Sequence, residues 1–158
     1  MTPSEWYALV SSKVFFWLDP ARLNRQRAAC EPRPQVVLVL DTKRLVDRHG
    51  ERMALSRINS GNARRRPAQR GRCTFVPYRV WVESGWLSEM EGLGMFRHRI
   101  SGSPAELAVT RGRNDIMRYV TAIHRLRPGE SFRPAETVVS VSQEGITERG
   151  YPCLPLQE

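Results

Sequence analysis

Eight consecutive residues, Leu55-Ser56-Arg57-Ile58-Asn59-Ser60-Gly61-Asn62, run from an apolar strand-like stretch into a small polar loop, and a basic run over 64–72 follows. That order suits an anion. Backbone N–H groups come close to a phosphate where Ser60 and Gly61 carry little side chain, and Arg64, Arg65, Arg66, Arg70 and Arg72 supply charge and forked donors beside it. The plainer reading is a turn, because Asn, Ser and Gly are the residues that turns use most. The length of the segment favours binding: 59–77 reads as one loop, and loops beyond roughly 12–15 residues in compact domains tend to be functional or disordered.

The rest of the composition agrees with an anionic partner. The 158-residue chain has a formal charge of +9 and a pI near 10.5, and Lys13 and Lys43 are its only lysines, which leaves 23 arginines. Arginine forks onto phosphate and stacks on bases, so nucleic acid or a phosphorylated cofactor fits this charge. Codon bias toward arginine is the other explanation, since the arginines are spread along the whole chain. Cys30, Cys73 and Cys153 are odd in number and widely spaced, which argues against a disulfide framework or a zinc site. His49, His98 and His124 are isolated, and no Ser/His/Asp arrangement sits on a recognisable elbow. Asp41, Asp47 and Glu51, close to His49, have a spacing that fits helix capping and solvation. No apolar run approaches 18 residues and no signal-peptide pattern occurs, so neither export nor membrane insertion is expected. A reducing cytoplasm is the expected location.

The elements that must position these residues are short. Thr2-Pro3-Ser4-Glu5 reads as a capping box with Pro at the first helical position, opening a helix to about Ser12 that buries Trp6, Leu9 and Val10. Residues 14–17 form an aromatic strand, and Asp19-Pro20 opens a second helix that ends before Pro32. The unbroken run over 36–40 predicts a central strand covered on both faces. A brief helix over 42–49, closed by Gly50, precedes a strand over 52–56. Residues 78–86 alternate only weakly, and the glycines from Gly85 to Gly102 make the stretch up to Pro104 a surface excursion. Strands over 106–110 and 119–126 flank a short helical turn at 114–118, and one more strand is expected over 137–141. Many short strands joined by short helices argue for an α+β fold, and no Gly-x-Gly-x-x-Gly crossover supports a doubly wound sheet. The expected organisation is a single α+β domain over 1–127, followed over 128–158 by a C-terminal strand and an irregular tail.

Four stretches, Thr2-Pro3-Ser4-Glu5-Trp6-Tyr7, Val14-Phe15-Phe16-Trp17-Leu18, Val37-Leu38-Val39-Leu40-Asp41-Thr42 and Leu55-Ser56-Arg57-Ile58-Asn59-Ser60-Gly61, together resemble an uncharacterised bacterial domain family over residues 2–127. More distantly, the pattern resembles DarT-type ADP-ribosyltransferases, which modify DNA bases with NAD and form the toxin half of a toxin–antitoxin pair. Phe15-Phe16-Trp17 followed by Arg22 is similar to their aromatic strand and NAD-contacting arginine. Asn59 and the residues after it resemble their polar loop, and Pro104-Ala105-Glu106-Leu107-Ala108-Val109 resembles the strand that carries their catalytic glutamate. The resemblance implies an ADP-ribosyltransferase-like fold, two small packed sheets around a cleft. It implies NAD as cofactor, Glu106 as catalytic residue, and Arg22, Phe16, Trp17 and Asn59 as NAD contacts. It also implies nucleic acid, DNA rather than RNA, as acceptor and an antitoxin protein as partner.

The chain departs from that pattern in one respect. DarT enzymes orient NAD with an N-terminal histidine motif, and no histidine precedes His49. Members of the uncharacterised family carry a further N-terminal segment, so the chain reads as beginning partway into the usual domain; a fragment, an alternative start or a degenerate homologue each accounts for this. Two other classes compete. A non-enzymatic nucleic-acid-binding module would use the arginines of 64–72 with Phe75, Tyr78 and Trp81 as stacking rings. An interaction protein would expose an apolar patch around Trp81, Trp86 and Met90.

Overall fold

The computed structural model describes residues 1–30, 32–61, 71–92, 103–110 and 115–134. In chain order the main elements are α1 (Pro3–Ser11), β1 (Lys13–Trp17), α2 (Pro20–Ala28), β2 (Gln35–Leu40), α3 (Thr42–His49) and β3 (Met53–Ser56). They continue with β4 (Val76–Pro77), α4 (Tyr78–Ser84), α5 (Leu87–Gly92), β5 (Glu106–Thr110) and β6 (Val120–Leu126). Short 3-10 turns lie at Gly50–Arg52, Arg72–Thr74 and Ile116–Tyr119. This is a mixed α+β chain with two small antiparallel sheets, as the short-strand pattern predicts. It divides into two compact units, Met1–Leu18 with His49–Gly112, and Asp19–Arg48 with Arg113–Glu158.

The first unit is built on a four-stranded sheet ordered β1-β5-β3-β4, antiparallel at every pairing. α1 starts where the capping box predicts: Thr2 Oγ1 accepts the Glu5 N–H at 3.2 Å and the Glu5 carboxylate accepts the Thr2 N–H at 2.7 Å. The helix lays Trp6 against one sheet face, where Phe15, Ala108 and Ala54 stand in one register row. Two alanines there leave room for large rings. Trp6 stacks on Phe75 with centroids 5.9 Å apart, and Phe15 lies 6.0 Å from Phe75. Lys13 bridges the edge of the same face, donating to Thr110 Oγ1 at 2.9 Å with its ammonium 5.1 Å from the Phe75 ring centre. Because side chains alternate across a strand, Met53, Leu55, Leu107 and Val109 face the other way, and all four are buried.

β3 and β5 are thus the strands covered on both faces, whereas the sequence pattern assigns that role to residues 36–40. The second unit shows why the pattern misleads. There β2 pairs with β6 alone among the described residues, with a register shift at Val39/Leu40. Val37 is buried against Ala122 and Phe132, while Val36 and Leu38 are 60% and 40% exposed. A β-branched run reports strand preference, not how many faces are covered.

The same unit contains α2, whose N-cap Asp19 accepts the Ala21 N–H at 2.8 Å as expected. Asn24 exchanges two 2.8 Å hydrogen bonds with the backbone of Phe132, and the buried Arg27 donates to the Glu130 carbonyl, so one helix face fastens the stretch after β6. Asp41 accepts the Arg44 N–H at the start of α3 and Asp47 pairs with Lys43, the capping and solvation roles predicted for them. In the first unit Glu51 pairs with Arg79.

The stretch predicted to be a surface excursion contains α4 and α5 instead. Gly85, with φ +61°, turns the chain between them. Trp81 and Trp86 then meet edge to face at 6.0 Å, and they are only 8% and 1% exposed. The patch that an interaction protein would expose is therefore core at both tryptophans; the Met90 side chain lies outside those described. α5 approaches the Arg72–Thr74 turn so closely that a Cβ on Gly92 would lie 2.6 Å from Cys73 Cβ, which only glycine avoids. The strand predicted over 137–141 and the tail lie outside the described residues.

Candidate functional site

The chemistry-bearing groups of the first unit gather at the start of β5. Trp17, Glu106 and Ser56 are direct register partners across three neighbouring strands, so their side chains share one sheet face and adjacent positions. The pairing runs one residue further, with Ala105 donating to the Ser56 carbonyl at 2.7 Å and Leu18 donating to the Ala105 carbonyl at 3.3 Å. Glu106 is only 3% exposed. A carboxylate taken out of water needs donors, and the loop after β3 supplies them. Ser60 gives both its N–H, at 3.1 Å, and its hydroxyl, at 2.7 Å, to the same oxygen, Glu106 Oε2.

Ser56 makes that return possible. Its buried hydroxyl donates to the Ile58 carbonyl at 3.1 Å and accepts the Ile58 N–H at 3.3 Å, a side-chain turn that bends the chain as soon as the strand ends. The Ser60 N–H and hydroxyl are thus both engaged by the protein's own Glu106. The solvent-facing alternative for Glu106 is removed.

A family model described as a family of unknown function, DUF7002, matches residues 1–120. The chain belongs to the DUF7002 family. No curated protein and no solved structure matches it. The matched span of this DUF7002 protein takes in Trp17, the whole loop after β3, and Glu106.

One further contact of this unit has no signal in the sequence. Arg57, half-buried, lays its guanidinium 5.6 Å from the Trp86 ring centre and reaches Glu89 Oε2 at 3.4 Å. Both partners sit in the region that reads as loop, and Glu89 lies 32 residues away, so no local signal pairs them. Burial pushes the Glu89 carboxyl above its ordinary range, with Arg57 pulling it part of the way back. The native protein therefore holds the Glu89 proton more tightly than the unfolded chain does. This group's stabilising contribution is present at low pH and is lost as pH rises from the ordinary value of 4.5 through the raised folded one. Glu89→Gln, which does not ionise, is expected to gain stability relative to wild type over that window. Urea midpoints of the two proteins at pH 4 and pH 7 check this; a gap that does not change with pH would refute the assignment.

The other predicted residues are placed as follows. Trp17 stands beside Glu106, whereas Phe16 alternates to the opposite face in the row of Leu107 and Leu55. Asn59 is half-buried next to Ser60, its Oδ1 3.6 Å from where a Cβ on Gly61 would lie. Arg22 belongs to the second unit, in the first turn of α2, 3.3 Å from Asp19. Arg72 is exposed on its 3-10 turn, and Arg64, Arg65, Arg66 and Arg70 lie outside the described residues. Burial pushes the Cys73 thiol up, away from the thiolate that nucleophilic work requires. No helix among the described residues is long and apolar enough to cross a membrane.

Proposed function

We propose that this domain is an ADP-ribosyltransferase of the DarT-like kind, using NAD as donor and nucleic acid, DNA rather than RNA, as acceptor, with Glu106 as the catalytic carboxylate. One observation carries the reading: three stretches that the resemblance singles out, far apart in sequence, meet in one place. Trp17 adjoins Glu106 in register, and Ser60, next to Asn59, is bonded to it. A ring and a carboxylate side by side suit a nicotinamide–ribose pair, the ring by stacking and the carboxylate by facing the sugar.

The chemistry asks little more of the protein. The C1′–N bond of NAD breaks with its electron pair leaving on nicotinamide, while a lone pair of the acceptor forms the new bond to C1′. Positive charge gathers on the ribose in between, where a fixed carboxylate stabilises it, and the acceptor's proton passes to that carboxylate. Trp17 takes the stacking role rather than Phe16, which faces the other way. The charge of +9 supports a polyanionic acceptor. As in the enzymes it resembles, such an activity calls for a neutralising antitoxin partner.

Titration calorimetry tests the donor assignment. The folded wild-type chain is expected to bind NAD saturably. Absence of NAD binding by the folded wild type would overturn the reading. The arginine-rich charge would then favour a non-enzymatic nucleic-acid-binding module, recognised by an affinity that falls steeply with salt and does not depend on Glu106.

A further inference from the structure

We propose that Ser60 is a positioning residue for Glu106, its hydroxyl fixing the direction in which the carboxylate faces the reacting sugar; the proposal rests on the transferase reading above. The terminal torsion of a glutamate is broad, so one hydrogen bond leaves its carboxylate free to pivot. Here two donors of one residue converge on one oxygen, the hydroxyl at 2.7 Å being the shorter and the backbone N–H at 3.1 Å the longer. A short O–H···O contact to a carboxylate is the stronger kind of bond, and it approaches from a different direction than the N–H. Together they clamp Oε2 in place.

Ser60 can act this way because it is itself held. It is 1% exposed. The Ser56 side chain bends the loop immediately after β3, and Arg57 ties the same loop to Trp86 and Glu89. The loop is thereby anchored on both the strand side and the α5 side before it reaches Glu106. A purely structural serine needs only to satisfy a buried carboxylate, and the backbone N–H contributes to that without the hydroxyl. The hydroxyl adds orientation.

Nicotinamide release from NAD with water as acceptor reads this without knowledge of the natural acceptor: water oxygen bonds to C1′, nicotinamide leaves with the electron pair, and one proton is released. Four proteins are compared, wild type, Ser60→Ala, Glu106→Gln and the double variant, each with its fold checked by circular dichroism, and Ser60→Thr is added as the variant that keeps the hydroxyl. Ser60→Ala is expected to lower kcat by roughly tenfold to a hundredfold, the scale of a misplaced catalytic group, with KM for NAD little changed. In the Glu106→Gln background the same substitution is expected to cost nothing further, because two residues that act as one unit are not additive. Ser60→Thr is expected to retain most of the wild-type rate. A Ser60→Ala protein as fast as wild type overturns the positioning role and leaves the transferase reading standing. An equal loss in both backgrounds, or a loss confined to KM, also overturns it, since a structural role acts regardless of the residue at 106. No nicotinamide release by the wild type overturns the transferase reading and this inference with it.

Discussion

Glu106→Gln is expected to slow nicotinamide release by roughly 10²–10³-fold, the cost of removing a preorganised electrostatic stabiliser, while leaving the protein folded. The expectation rests on how little else the substitution changes. Glutamine has the same shape and keeps a carbonyl oxygen, so the Ser60 N–H and hydroxyl still find an acceptor, and Trp17 and Ser56 keep their places in the same register row. On the transferase reading, what the substitution removes is the ionisable carboxyl. At 3% exposure a charge there is screened far less than at the surface, so that reading expects its loss to be felt by a sugar that becomes cationic as nicotinamide departs. Rates measured by chromatography, with NAD affinity measured by calorimetry, separate the two effects: the rate should collapse and the dissociation constant should stay within a few-fold. A variant retaining half the wild-type rate would remove Glu106 from the chemistry.

What could be read in the sequence follows the range of the interactions involved. Thr2 and Glu5, or Asp19 and Ala21, signal a helix start because their bonds close within three residues, and α1 and α2 begin where those signals place them. The strands read at 14–17, 52–56 and 106–110 are legible for the same local reason. Coverage is not. Val36 and Leu38 look more core-like than Glu106 and Thr110, yet β5 is an interior strand and β2 is half exposed, because coverage depends on what packs from elsewhere in the chain. Gly85 between Trp81 and Trp86 read as the start of a loop, whereas its left-handed turn folds two short helices onto the core. At the site, resemblance singled out Glu106, but nothing local pairs it with Ser60, 46 residues earlier, or Arg57 with Glu89. Such pairs exist only once the sheet has formed.

Trp6→Ala is expected to destabilise the protein by about 3–5 kcal/mol, the usual cost of truncating a buried large aromatic. A domain's whole stability is only about 5–15 kcal/mol, so this one side chain carries a substantial share. Trp6 is 1% exposed and is the buried residue by which α1 holds the sheet, and it packs over Ala54 and Ala108, which are too small to fill the space it would leave. Its loss also strips one face of Phe75, against which Phe15 and the Lys13 ammonium also lie. The row Phe15-Ala108-Ala54 lies two residues along the strands from the row Trp17-Glu106-Ser56, on the same face. A cavity under the first row therefore loosens the support of the second, and Trp6→Ala should lower nicotinamide release even at temperatures where it remains folded. Trp6→Phe, which refills most of the volume, should recover the larger part of both losses. Urea unfolding of the three proteins measures the first effect; a loss below about 1 kcal/mol for Trp6→Ala would mean that the site collapses around the missing ring and that α1 does not brace the sheet.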